Sequence, residues 1–186
     1  MPDPLTPSGL ARVGEVAAAH VGSEVVPGLV VLVARHDQVH VEALGSLSIG
    51  GPDGQWSRPP AFGDGGAGLV STASDLLAFA QMLLRGGAPV LTADAVTAMT
   101  TDQLTPAQAR SGQGFLFGRS WGFCQSVVVE GPRAGAFGWD GGLGTSWLVD
   151  PNRDLTIIVL TQRLFETAEA PAVHRDVQAA AYDAVA

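Results

Sequence analysis

A chain of 186 residues that is 46% hydrophobic and 15% charged has the composition of a single globular domain and not of a disordered segment. A formal charge of -8 repels polyphosphates, and no Lys/Arg cluster offsets it, which argues against nucleic acid as a partner. No apolar run is long enough to span a bilayer, and the start "MPDPLTPSGL" has neither a basic n-region nor an apolar h-region, so the expectation is a soluble chain with no signal peptide and no membrane partner.

Residue usage narrows the chemistry. Cys124 is the single cysteine, which rules out an internal disulfide and a thiolate metal cluster; within the strand-like run "SWGFCQSVVVE" it reads as a small apolar filler. All ten basic side chains are arginines. Arginine keeps its proton at ordinary pH, so mechanisms that need a lysine as base or nucleophile are closed to this chain.

In chain order, Thr6-Pro7 reads as an N-cap followed by proline at the first helical position, and Leu10, Val13, Val16, Ala17 and His20 continue a helix of about four turns. "LVVLVARHDQVHVEAL" then gives two β-rich runs around Arg35-His36-Asp37-Gln38, a hairpin with an exposed tip. From Ser48 to Gly68 the chain is crowded with Gly and Pro and has no period, an unusually long loop for a compact domain. Thr72 and Asp75 form a capping pair for "ASDLLAFAQMLLRGG", whose face Leu76, Leu77, Phe79, Ala80, Leu83 and Leu84 stops at Gly86-Gly87. Shorter helices are expected after Thr92 and after Thr105-Pro106.

Strand-like text follows: "SWGFCQSVVVE", a turn at Gly131-Pro132, "AGAFGW", a glycine turn, "GTSWLVDP", a turn at Asn152-Arg153, and "DLTIIVLTQ". The Ala-rich "APAVHRDVQAAAYDAVA" closes the chain as a helix. The fold class expected is α+β, an α/β sandwich with an antiparallel sheet of about five strands and the N- and C-terminal helices packed on it. The expected organisation is one domain over 1–186: helix and hairpin in 1–50, the odd loop in 51–68, and the remaining helices and strands in 69–186.

Candidate sites divide between chemistry and plain structure. His36 and His40 are four apart, as zinc ligands on a helix would be, but they straddle a hairpin tip; solvated turn residues are the better reading, and no metal is assigned. Ser46, Ser71, Ser146, His20 and His174 leave a Ser/His/Asp site open, because triad members meet in space. Against it, there is no Gly-x-Ser-x-Gly elbow, Ser71 sits at a helix start, and His174 fits a surface position of the last helix. Leu76, Phe79 and Leu83 read as ordinary core. Trp56, Pro59, Pro60 and Phe62 either cover sheet surface or leave an apolar patch that favours self-association.

Three segments together, "VPGLVVLVARHDQVHVEALGSLSIGG", "RPPAFGDGGAGLVSTASDLLAFAQMLLRGG" and "GWDGGLGTSWLVDPNRDLTIIVLTQR", resemble the serine β-lactamase and penicillin-binding-protein-like hydrolases, in their class C-like esterase branch. The resemblance implies a sheet domain interrupted by a helical region that carries Ser-x-x-Lys and Tyr-x-Asn. Here "GSLSIGG" runs into "PDGQWSRPP", which places a deletion near Gly51-Pro52; Ser-x-x-Lys is impossible without lysine, and Tyr182 is followed two residues on by Ala184 in place of Asn. Trp139-Asp140-Gly141 resembles the family's Trp-x-Gly form of its third motif, beside the acyl-binding cleft and the oxyanion-hole N–H. On that basis Trp139, Asp140, Gly141, Gly142, Gly144 and Thr145 are a vestigial cleft wall. The competing reading is that the glycines simply permit a tight turn.

The resemblance therefore implies a catalytically silent scaffold with no catalytic residues and no cofactor. Two alternatives stay open: a weak esterase with a recruited nucleophile, and a binding or self-assembly module that uses the exposed former domain face. Whether the deletion is engineered or natural, and where the protein works, the residues do not say.

Overall fold

The computed structural model describes residues 4–22, 26–46, 62 and 69–185. The N-terminal helix α1 (Pro7–Ala19) is followed by β1 (Gly28–Arg35) and β2 (Gln38–Gly45); then come α2 (Ala73–Leu84), α3 (Ala93–Thr100) and α4 (Pro106–Leu116). The strands β3 (Ser120–Trp121), β4 (Ser126–Val127), β5 (Phe137–Gly141), β6 (Thr145–Asp150) and β7 (Leu155–Thr161) precede the last helix, α5 (Ala172–Asp183). The predicted helix starts hold for a local reason: Thr6, Thr72, Thr92 and Thr105 each accept a backbone N–H with the side-chain oxygen, and Gln108 completes a capping box with Thr105.

All strands join one antiparallel sheet in the order β2-β1-β7-β6-β5-β4-β3. The α+β class holds, with seven strands among the described residues in place of about five. The difference comes from the run "SWGFCQSVVVE", which is two strands of two residues folded back by a turn in which Gly122 N–H donates to the Gln125 carbonyl. Cys124 lies in that turn with φ +68 and is exposed, so it does not fill the core.

Long-range pairing ties the chain ends together. β1 pairs with β7 from Leu29↔Thr161 to Arg35↔Leu155, and Thr6 N–H donates to the Ala184 carbonyl at 3.0 Å. Alternate residues of the central strands then serve two cores. Val31, Val33, Ile157 and Val159 pack with Val13, Ala17, Val177 and Ala181 under α1 and α5, while Leu32, Ala34 and Ile158 pack with Leu77 under α2. Helices on both sheet faces explain why β1 is apolar almost throughout instead of alternating. Each such Val, Leu or Ile contributes roughly 1.5–3 kcal/mol by leaving water. β2, at the sheet edge, alternates instead, with Val39 and Val41 exposed.

The face of α2 is narrower than its spacing suggests: Leu77, Ala80 and Leu83 are buried, and Phe79 is 40% exposed, lying 5.7 Å from the Trp147 ring. Trp56, Pro59, Pro60 and the Gly51-Pro52 junction lie outside the described residues, and Phe62 is exposed. Among the described residues no helix is long and apolar enough to cross a membrane.

Candidate ligand cleft at the open edge of strand β5

The glycine-rich segment singled out in the sequence forms β5, a turn and β6. β4 pairs with β5 only at Ser126↔Gly138 and Val127↔Phe137, so no described strand covers the outer edge of Trp139–Gly141. Close approach explains the glycines here. Gly138 has φ +154, and a Cβ on it would overlap the Trp147 carbonyl of the paired strand. Gly144 has φ +93, and its carbonyl accepts from both N–H and Oγ1 of Thr161. The tight-turn reading is thus right for Gly144, whereas Gly142 has open space around it and gives its carbonyl to Phe165 N–H.

Strand alternation sends neighbouring residues of the motif to opposite faces. Trp139 lies opposite Trp147 and joins Trp121 and Phe115, with ring centroids 4.8 Å and 5.5 Å away. Asp140 lies opposite Ser146, under α5. There Ser146 donates to Asp140 Oδ1 at 2.5 Å and accepts from Gln178 Nε2 at 3.2 Å. Arg119 faces the other carboxylate oxygen at 3.7 Å and donates to Ser126 Oγ, which in turn donates to the Gly138 carbonyl.

His174 completes this group and overturns the surface position expected for it. It is 1% exposed, because α5 lies with Val173, Val177 and Ala181 on the sheet and carries His174 and Gln178 inward beside them. Neither ring nitrogen has a well-formed hydrogen bond among the described residues, and the Gly144 backbone is the uncharged polar group that acts on the ring. Burial holds its pKa below the usual 6.5, against the opposing pull of the Asp140 charge and the Gly144 backbone. His174 is therefore a neutral imidazole at neutral pH.

Between β5, α4, the 165–170 segment and α5 lies a cleft of about 520 Å³. Of the residues singled out in the sequence, Trp139, Asp140 and Gly142 are among those that line it, and Gly141, Gly144 and Thr145 are not. Phe115, Arg119, Phe165 and Gln178 line it too and were not anticipated. Of these, Gln178 alone carried a signal, the i,i+4 spacing from His174. Of the triad candidates, Ser146 and His174 meet at Asp140, while Ser46, Ser71 and His20 stand outside the cleft. His20 pairs with Asp176, His36 with Asp154 and His40 with Glu42. Among the described residues no group of three or more His, Cys, Asp or Glu could hold a metal ion.

The β-lactamase family model matches residues 44–182. Protein Rv1367c of Mycobacterium tuberculosis is 41% identical over 120 residues, 56% of this chain and 30% of its own length. Esterase EstB of Burkholderia gladioli is 30% identical over 116 residues, 61% of this chain and 29% of its own length. Among solved structures, EstCE1, a hydrolase with promiscuous acyltransferase activity, is 26% identical with a TM-score of 0.53, over 63% of this chain and 31% of the other. A simvastatin synthase from Aspergillus terreus shares the fold at 20% identity and a TM-score of 0.54, over 63% of this chain and 35% of the other. The chain spans 30% or less of the length of these curated relatives. With three quarters of its length inside the family model, it belongs to the β-lactamase family.

Proposed function

We propose that this chain is the sheet portion of a β-lactamase-like hydrolase, joined near Gly51-Pro52 across a missing helical region, and that it is silent in acyl-enzyme chemistry. The observation that carries this reading is that His174 has no hydroxyl to activate. A general base has to lie within about 2.6–3.2 Å of the hydroxyl it activates, and no described hydroxyl is within hydrogen-bond reach of either His174 nitrogen. The nearby hydroxyls are engaged elsewhere, Ser146 with Asp140 and Ser126 with the Gly138 carbonyl. The absence of lysine supports the same conclusion. Oxyanion donors without a nucleophile have little charge to stabilise.

The test is intact mass after incubation with a serine-directed fluorophosphonate and with a penicillin, next to a heat-unfolded control. Unmodified mass on folded protein is expected. A stoichiometric adduct on folded protein alone would sink the silent reading, and its mapping to Ser146 would establish a weak esterase with a recruited serine. A third reading, assembly with another chain, is motivated by Phe115, Phe117 and Phe123, each more than half exposed beside the open sheet edge. Light scattering at rising concentration decides it, a constant monomer mass counting against self-association.

A further inference from the structure

We propose that β2 is an interface strand: its outer edge pairs antiparallel with β2 of a second copy of this chain, about a two-fold axis at Val41. β2 ends the sheet and pairs with β1 alone among the described strands. Its residues keep an unbroken register with β1, and "QVHVEALG" contains no proline and no lysine. Sheet edges that stay unpaired are commonly short, bulged, or marked by proline or lysine. The opposite edge strand, β3, is short in this way, whereas β2 has none of these devices.

Hydrogen-bond parity fixes which backbone groups of β2 are free. Ser46 N–H donates to the Pro27 carbonyl at 3.0 Å, across the pair Gly28↔Gly45, which makes that pair a non-hydrogen-bonded one. Alternation gives the same character to Val30↔Ala43, Leu32↔Val41 and Ala34↔Val39. Val39, Val41 and Ala43 therefore turn N–H and C=O away from β1, and no hydrogen bond from another described residue reaches them. Their side chains are exposed too, on the sheet face where Leu77 of α2 covers Leu32, Ala34 and Ile158 instead.

The strand complements itself, which is what selects a second copy as the occupant. With Val41 opposite Val41 of the second copy, each bonds the other through both N–H and C=O, and Val39 bonds Ala43 in the same way on either side of the axis. On that face valine meets valine and alanine. On the face of α1, His40 of each copy stands opposite Glu42 of the other; the two already pair at 2.8 Å within the strand and are 26% and 27% exposed. Moving the axis to Ala43 would set Glu42 against Leu44, and moving it to Val39 would shorten the overlap. This assembly role does not depend on the silent-hydrolase reading and uses a surface other than the Phe115–Phe117 patch.

The test is sedimentation equilibrium in about 0.15 M salt, which screens the repulsion between copies of net charge -8. A monomer–dimer equilibrium is expected. Val41→Lys sets like charges against each other at the axis and is expected to raise the dimer dissociation constant about tenfold, while Phe117→Ser leaves it unchanged. In a Cys124→Ser background, Val41→Cys is expected to form a disulfide-linked dimer on mild oxidation, because directly opposed Cα atoms lie about 5.5 Å apart. Val39→Cys is expected to cross-link only when mixed with Ala43→Cys. The idea is overturned by a monomer at every concentration, by a dimer indifferent to Val41→Lys, or by equal cross-linking of Val39→Cys alone and Val41→Cys. A dimer lost in Phe117→Ser and kept in Val41→Lys would also overturn it and move the contact to the aromatic patch. Should Val41→Lys not fold, the cysteine pattern decides the matter. None of these readouts involves acylation, so the result stands or falls separately from that test.

Discussion

His174 Nδ1 lies 3.9 Å from Asp140 Oδ1, close enough to feel the carboxylate's charge and too far to hydrogen-bond with it. Burial outweighs that attraction and holds the imidazole neutral in the folded chain. The unfolded chain takes up a proton near pH 6.5 and the folded one does so only at lower pH. Between those values the unfolded state binds more protons, so stability falls as pH drops below 6.5. The melting temperature is expected to decline across that window, and His174→Leu is expected to flatten the decline. At neutral pH the same variant removes an unsatisfied buried group and is expected to gain on the order of 1–3 kcal/mol in urea unfolding. A loss of stability in His174→Leu would mean that the imidazole is satisfied, by the Gly144 backbone or by water.

About two turns further along α5, the Tyr182 hydroxyl donates to Asp150 Oδ2 at 3.0 Å, with Arg133 stacked 4.0 Å from the ring centroid. Burial, and then the Asp150 charge, push the phenol far above its usual 10.0. The unfolded phenol ionises near 10.0 while the folded one keeps its proton, so stability is lost as pH rises past that value. Tyr182 is the single tyrosine, which makes its absorbance at alkaline pH a clean probe. Tyrosinate is expected to appear together with loss of the far-ultraviolet circular dichroism signal and not before it. Tyr182→Phe is expected to cost about 1–3 kcal/mol, because Asp150, 1% exposed, loses one of its donors and keeps Arg153.

The parts of this fold that could be read from the sequence are those whose cause is local. A threonine three residues before the N–H it caps, or two β-rich runs on either side of His36-Asp37, announces itself within a few positions. β3 and β4 do not, because two residues are too few to show a period, and Cys124 adopts a positive φ where the sequence gives no glycine signal. The burial of His174 was hidden for another reason. Val173, Val177 and Ala181 mark the buried stripe of α5, but His174 stands at its border, and whether a border residue is covered is decided only when the sheet is in place. The cleft was half legible, its β5 wall from the glycine pattern and its α4 and 165–170 walls not at all, since Phe115 and Phe165 reach it only through tertiary packing.

The place of Cys124 in the β3–β4 turn makes a simple check of that part of the fold. An exposed thiol reacts with an aromatic disulfide reagent in the native state, whereas a core thiol waits for unfolding. One equivalent is expected to react without denaturant, at a rate that denaturant changes little. Protection relieved only by unfolding would restore the core-filler reading and remove the short hairpin that leaves the β5 edge open.

The glycines of β5 and of the turn that follows it are not equivalent, and alanine substitution should separate them. At Gly138 a Cβ would meet the Trp147 carbonyl across the sheet, backbone against backbone, at a φ of +154 that side chains rarely adopt. At Gly144 it would meet the Arg163 carbonyl at φ +93. Neither neighbour can move without breaking the pairing of β5 with β6 or the Thr161 contacts. Gly138→Ala and Gly144→Ala are each expected to cost on the order of 3 kcal/mol, close to the upper range for enforced backbone strain. Gly142 has nothing within 4 Å of a Cβ and no positive φ, so Gly142→Ala is expected to stay within about 0.5 kcal/mol of the parent. Urea unfolding of the three variants checks the ranking. Equal losses at all three would mean that the turn needs glycine for flexibility alone; a loss at Gly138 and Gly144 but not at Gly142 ties the requirement to close backbone approach between β5, β6 and the end of β7.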